Sequence, residues 1–320
     1  MLLLFAVYIN PLINSLQQSK QGCYIGNICT NAFAYADDIV LLTPSCTALR
    51  SLINICEQYA YSYKLKFNPE KCTLLIYADK NLNFYYNNCK ISLCGKIVQN
   101  VKSEKHLGHL FTSTNHTHLI NLDSVIRDIK VRTNTIIANF HPICWQSKVK
   151  LFLSQCSALY GSTLWRLDDS QIDELIKTWN ICCRRLLGLA PNTRTYVLPH
   201  IMNTIPIKYT IMYRMLNFFI SGLNHECETI SMLYKNALIS KSSYMLQNIN
   251  MILNEFSIKY CDLFDINKTK LKAIISKKVG EPDWRCNSIK ELLSLKEKQI
   301  SSELTPTEIV SLLEYVSTER

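Results

Sequence analysis

Two adjacent carboxylates, Asp37 and Asp38, stand between two short apolar runs at residues 32–35 and 39–42. Paired acidic side chains at the tip of an apolar hairpin are costly unless a cation or hydrogen bonds neutralise them. Hard oxygen donors of this kind suit Mg²⁺, which takes one or two protein carboxylates and completes its octahedron with water and substrate phosphates. A pair of such ions stabilises the attacking and leaving oxygens of a phosphoryl transfer. The plain alternative is a solvated turn that binds nothing, and an Asp-Asp dipeptide by itself does not decide between them.

The elements that must position this pair can be read from periodicity. Residues 2–16 place Leu4, Phe5, Tyr8, Ile9, Leu12, Ile13 and Leu16 on one helical stripe. The apolar start with no capping residue reads as an element whose front is missing. Gly22 and Gly26 bracket a turn, and the runs flanking Asp37-Asp38 predict a β-hairpin with a polar tip. Residues 47–63 form an amphipathic helix with Leu49, Leu52, Ile53, Cys56 and Tyr59 on one face. An extended return follows through 64–67, the turn Asn68-Pro69, and 73–77. Residues 82–112 read as short β pieces separated by Asn87-Asn88 and Gly95.

Beyond residue 120 the pattern is helical. Its clearest stretch is 171–187, with an apolar stripe, Ser170 and Asp173 as a capping box, and Gly188 as the left-handed residue after the helix. A second helix is expected over 148–165, and further ones near 268–278 and 306–317.

Only 8 Gly and 9 Pro punctuate the 320 residues, which favours long helices over a many-stranded sandwich. The net charge is +10, from 35 Lys+Arg against 25 Asp+Glu. It divides as 8 − 5 = +3 over residues 1–100, 12 − 7 = +5 over 101–200 and 15 − 13 = +2 over the rest. A basic excess concentrated in the middle third fits a polyanionic partner, although each cation singly reads as a solvated charge. Fourteen cysteines without a C-x-x-C pair read as reduced, mostly buried thiols of an intracellular protein, in the nucleus and/or cytoplasm. The apolar N-terminal stretch has no basic n-region and no small-residue cleavage site, and is too short to span a bilayer. Neither a membrane nor a protein partner is expected.

Phe33-Ala34-Tyr35-Ala36-Asp37-Asp38-Ile39-Val40-Leu41-Leu42 resembles the palm motif of reverse transcriptases, in its non-LTR (LINE-type) retrotransposon form. Its neighbours agree in order. Leu4-Phe5-x-x-Tyr8-Ile9-Asn10-Pro11-Leu12 looks like the end of the preceding motif, and Leu65-x-x-Asn68-x-x-Lys71-Cys72 is similar to the following one, with Cys72 where the family more often has Thr. His106-Leu107-Gly108 resembles the primer grip, with His in place of Tyr. Leu159-Tyr160-Gly161, Trp165, Trp179 and Arg184-Arg185-Leu186-Leu187-Gly188 look like thumb and post-thumb helices. The likeness covers about residues 1–220 and is strongest at 31–76.

The resemblance implies an α+β chain: a partial palm at 1–115, built from an antiparallel hairpin with packed helices, a mainly helical thumb region at 116–225, and a helical C-terminal tail at 226–320. It implies that Asp37 and Asp38 hold two catalytic Mg²⁺ ions, and that Lys71 stabilises or protonates the leaving group. Tyr35, Ala36, Asn68, Leu107 and Gly108 would meet primer, template or nucleotide. Arg127, Lys130, Lys148, Lys150, Arg184 and Arg185 would follow the phosphate backbone. The implied partners are an RNA template, a DNA primer and a dNTP.

The family also uses an earlier metal-binding aspartate, yet residues 1–36 contain neither Asp nor Glu. The fingers and most of the template helix would precede Met1. The chain alone is therefore expected to be catalytically incomplete, and a non-enzymatic nucleic-acid-binding remnant is the competing reading. His106, His109, His116 and His118 have suggestive zinc spacing but read better as loop histidines. Asn115-His116-Thr117 matches a glycosylation sequon, which matters only in a secreted protein.

Overall fold

The computed structural model describes residues 2–77, 89–113, 122–157, 159–240, 243–280 and 305–307. The fold is α+β, and the chain divides into two compact units. Residues 1–119 with 225–240 form the first, and 120–224 with 241–320 form the second.

In the first unit, α1 (Leu2–Gln18) and α2 (Cys46–Ser62) pack through Ile9, Leu12, Leu16, Leu52, Cys56 and Tyr59. Pro11 lies inside α1 and cannot donate the helical bond to the Val7 carbonyl. Val7 is 74% exposed, so water can serve that carbonyl. The N-cap of α2 is Ser45, whose Oγ accepts the Ala48 N–H at 3.2 Å.

Two antiparallel hairpins lie between these helices. One joins β1 (Cys23–Ile25) to β2 (Ile28–Thr30), and the other joins β3 (Ala32–Tyr35) to β4 (Asp38–Leu41). After α2 come a 3-10 turn at Pro69–Lys71 and β5 (Thr73–Leu74), which pairs in parallel with β8 (Gln99–Asn100). β6 (Ser92–Leu93) with β7 (Lys96–Ile97), and β9 (Ser103–His106) with β10 (His109–Thr112), make two more hairpins. A smaller core of Ile91, Leu93 and Val98 backs this region, with Leu49 and Ile53 of α2 against it.

The second unit is helical: α3 (Leu122–Asn139), α4 (Trp145–Cys156), α5 (Ser170–Leu187), α6 (Val197–Ile201) and α7 (Ile207–Leu223). The helix α8 (Glu228–Ser240) belongs to the first unit, and α9 (Tyr244–Phe256) and α10 (Lys268–Gly280) to the second. α3 buries Ile126, Ile129, Thr133 and Ile136 against α4 and α5. α7 buries Ile211, Met212, Met215, Leu216, Phe219 and Leu223 and touches α9 and α10.

Three expectations are corrected. The N-cap of α5 is Asp169, whose Oδ1 accepts the Gln171 N–H at 2.9 Å, and Ser170 is already helical. Asx side chains cap as well as Ser does, so the position one residue earlier competes successfully. The helix expected over 148–165 ends at Cys156, because Leu159 (φ 41°) and Gly161 (φ 79°) turn the chain into a 3-10 segment at Ser162–Leu164. Cys46 and Cys89 form a disulfide, at variance with wholly reduced thiols. Cys94, Cys144, Cys227 and Cys261 are exposed rather than buried. Gly188 does take the left-handed cap, with φ 68°. His116, His118, the sequon at 115–117, the β piece at 82–88 and most of the expected helix at 306–317 lie outside the described residues.

Candidate nucleic-acid and metal site

The β3–β4 ladder fixes where the acidic pair sits. Its register is Ala32↔Leu41, Phe33↔Val40, Ala34↔Ile39 and Tyr35↔Asp38. Directly paired residues share a face, so Ala32, Ala34, Ile39 and Leu41 lie on one side, and Phe33, Tyr35, Asp38 and Val40 on the other. The first side packs on the α1–α2 core through Ala32, Ile39 and Leu41. The second faces solvent, with Tyr35 67% exposed. Asp38 therefore shares an open face with Tyr35, and Asp37 stands at the tip.

The loop between the strands is only Ala36-Asp37, and Ala36 has φ 53°. Two-residue hairpin loops need a positive φ to match the strand twist. Ala tolerates it less well than Gly, at about 1–2 kcal/mol. Such a strained residue next to two acidic groups is the kind of outlier that clusters at functional sites.

The root of this hairpin is anchored by Asn31, only 1% exposed, whose Nδ2 donates to the Leu16 carbonyl at 2.5 Å. The Asn31 carbonyl accepts the Leu42 N–H at 2.8 Å, extending the ladder by one pair. Gly22 lies against the same residue: a Cβ there would come within 2.4 Å of the Asn31 Cβ and 2.9 Å of the Thr30 carbonyl oxygen. The glycine is required by close approach, not by its dihedral.

Asp37 and Asp38 supply hard oxygen donors on consecutive residues. Among the described residues no group of three or more His, Cys, Asp or Glu comes together. Carboxylate oxygens of this kind suit a hard divalent cation. His106 and His109 face each other across the β9–β10 turn.

Lys71 is exposed at the end of the 3-10 turn. Asn68 caps that turn: its Oδ1 accepts the Glu70 N–H at 3.1 Å, and its carbonyl accepts the Lys71 N–H at 3.1 Å. Asn68 thereby positions Lys71. Glu70 pairs with Lys96 at 2.8 Å, so it does not neutralise Lys71. Leu107 and Gly108 form the two-residue turn of β9–β10, with φ values of 47° and 81°. Both positive values are those of the mirror-image hairpin turn.

The six basic candidates are not equivalent. Arg127 and Lys130 are exposed on α3, Lys150 on α4 and Arg185 on α5. Lys148 is half-buried, and its Nζ donates to the His141 carbonyl at 3.2 Å. Arg184 donates through Nε to the Thr193 carbonyl and through Nη2 to the Thr195 hydroxyl, both at 2.8 Å. It ties the loop after α5, a role that no spacing in the sequence discloses.

One feature the motif reading passed over is a tyrosine cluster where α1 meets the end of α2. Tyr59 and Tyr63 stack with ring centroids 4.2 Å apart, and Tyr8 meets Tyr63 edge-on at 5.6 Å. The Tyr8 hydroxyl donates to the Tyr63 carbonyl and the Tyr59 hydroxyl to the Tyr8 carbonyl. The alternation Tyr59-Ala60-Tyr61-Ser62-Tyr63-Lys64-Leu65-Lys66 was the available signal.

Residues 2–111, about a third of the chain, match the family model of reverse transcriptase (RNA-dependent DNA polymerase). The match spans α1, the acidic hairpin, α2, the Lys71 turn and the Leu107-Gly108 turn. A search among curated proteins finds no match. This stretch is similar to the reverse transcriptase family.

Proposed function

We propose that the chain is part of an RNA-directed DNA polymerase of a non-LTR (LINE-type) retrotransposon, comprising palm, thumb and C-terminal regions, a reading supported by the match of residues 2–111 to the reverse transcriptase family model. The observation that carries this reading is the tight hairpin with Asp37 at its tip and Asp38 on its open face. Template RNA, primer DNA and dNTP are the corresponding partners.

Asp37 holds divalent metal and Asp38 supports the same site. Bound Mg²⁺ would neutralise charge building on the transferred phosphate and its leaving group. Tyr35 offers an aromatic surface on the same face as Asp38, and the small Ala36 leaves room beside the tip. Lys71, presented by the Asn68-capped turn, stabilises negative charge on the departing pyrophosphate. Arg127, Lys130, Lys150 and Arg185 provide sequence-independent phosphate contacts. Lys148 and Arg184 contribute less, since their donors already serve carbonyls and a hydroxyl of the chain itself.

This 320-residue polypeptide by itself is proposed not to polymerise. Residues 1–36 carry no carboxylate to join Asp37, and ions shared by several ligands are not held by a remainder. The purified chain, incubated with primed template, dNTP and Mg²⁺, is expected to give no incorporation. Incorporation that disappears in Asp37→Ala would overturn the proposal of inactivity while upholding the site. Incorporation that persists in Asp37→Ala would remove Asp37 from the site.

A further inference from the structure

We infer that the C-terminal corner of α2 is a binding site for single-stranded nucleic acid, with Tyr61 as a stacking platform for a base and Lys64 and Lys66 as phosphate contacts. The inference deepens the nucleic-acid reading above and rests on it.

The corner is built as a closed helix end. The Tyr63 N–H bonds the Tyr59 carbonyl, and the Leu65 N–H reaches back to the Ala60 carbonyl at 2.9 Å. The second of these is the 6→1 bond of a Schellman-type cap, whose left-handed residue is ordinarily glycine. Here it is Lys64, at φ 57°. A lysine in that conformation is disfavoured relative to glycine, by about 1 kcal/mol or more. Its charge recovers part of this by lying at the negative end of the helix. The Lys64 ammonium sits 5.2 Å from the centre of the Tyr61 ring.

Tyr61 is 81% exposed and contributes nothing to the core around it. The structural work is done by its neighbours: Tyr59 is buried, and the hydroxyls of Tyr8 and Tyr59 tie the α1 backbone to the end of α2. With the corner held rigid, a base stacking on Tyr61 meets a preorganised surface and loses little entropy to ordering.

Two lysines flank the first residue after the cap. Along 64–67, Leu65 and Phe67 turn toward the core clusters, and Lys64 and Lys66 are exposed. The carboxylates nearby in sequence are engaged elsewhere: Glu57 accepts the Cys94 N–H at 2.5 Å, and Glu70 pairs with Lys96. An exposed aromatic ring beside cations that, among the described residues, have no salt-bridge partner is the combination that binds single strands without reading sequence.

The test measures binding of the full chain to single-stranded oligouridylate and to a duplex of similar length, over a range of salt. Tyr61→Ala is expected to weaken oligouridylate binding about tenfold, with duplex binding unchanged and Tyr61→Phe restoring the affinity. Lys64→Gln with Lys66→Gln is expected to reduce the slope of log K against log salt by about 1.4. Circular dichroism checks that the variants fold, as the exposure of all three side chains leads one to expect. If wild-type affinity and slope survive in both variants, the inference is overturned and the wider nucleic-acid reading stands. If the wild-type chain binds the duplex but no single strand, the inference alone falls; if it binds neither, both fall.

Discussion

Replacing Gly22 by Ala should loosen the acidic hairpin from its root. The added Cβ would lie 2.4 Å from the Asn31 Cβ and 3.0 Å from its Cα, with the Thr30 carbonyl oxygen at 2.9 Å. Unstrained carbon atoms meet at about 3.5–4.0 Å, so the shortfall is about 1 Å. The obstacles are backbone and a Cβ, and no rotamer change removes them. Overpacking of this kind costs about 1–3 kcal/mol, and the upper half of that range is the reasonable expectation. Because about 1.4 kcal/mol is a factor of ten, local opening should become about 30- to 150-fold easier.

Hydrogen exchange followed by mass spectrometry on peptides covering residues 28–42 reads this directly, since the Leu42 amide bonds the Asn31 carbonyl. The control is Gly188→Ala, where a Cβ meets nothing within 4 Å and only φ 68° is at stake. About 1 kcal/mol, or fivefold faster exchange, is expected at the end of α5. Exchange over 28–42 within twofold of wild type in Gly22→Ala, or a larger effect from Gly188→Ala, would refute the reasoning.

Further outcomes follow from the second unit and from the cysteines. Asn248 is buried, donating to the Trp165 carbonyl at 2.6 Å and accepting the Leu167 N–H at 2.9 Å. Asn248→Ala orphans both groups and should cost about 2–4 kcal/mol in urea titration; a loss below 0.5 kcal/mol would contradict that by the same measure. Burial pushes the Cys56 thiol up to about 12 and the Cys156 thiol up to about 11. A raised thiol pKa stabilises the fold fully below the unfolded value near 8.5, and that contribution is lost as pH rises toward 11–12. Thiol-reactive probes at neutral pH should label Cys94, Cys144, Cys227 and Cys261 well before Cys56 and Cys156; early labelling of the latter pair would contradict the burial argument. Peptide mapping without reductant should recover Cys46 linked to Cys89, and reduction should lower stability by about 2–4 kcal/mol. The Asp168 carboxyl is held below its ordinary value by hydrogen bonds from Arg166. Its contribution is present above pH 4 and lost as pH falls through the lowered value, so Asp168→Asn should flatten the acid limb of the stability curve.

Much of the local fold was legible because burial leaves a periodic trace. The stripe of α1, the apolar face of α2 and the stripe of α5 each appear as spacing, and the two runs around Asp37-Asp38 read as a hairpin at once. The failures have physical reasons. Residues 148–165 keep helical spacing past the true end of α4, since the left-handed turn at Leu159 and Gly161 leaves no gap in hydrophobicity. Asp169 and Ser170 are both capable caps, and spacing does not choose between neighbours. The partner of Cys46 lies 43 residues away, a distance that carries no pairing information. At the site, the motif located the carboxylates, but the burial of Asn31, the close approach at Gly22 and the commitment of Arg184 to Thr193 and Thr195 are three-dimensional facts.

The central claim, that this polypeptide grips nucleic acid through phosphate contacts, is tested most directly by one titration. Binding of an RNA–DNA heteroduplex by the purified chain is measured over a range of salt, for wild type and for a variant with Arg127, Lys130, Lys150 and Arg185 all changed to Gln. Wild type should show log K falling linearly with log salt, and the variant should lose up to about 3–4 units of slope, close to one per contact. Binding that is absent in the wild type, or that keeps the same affinity and slope in the variant, would contradict the account.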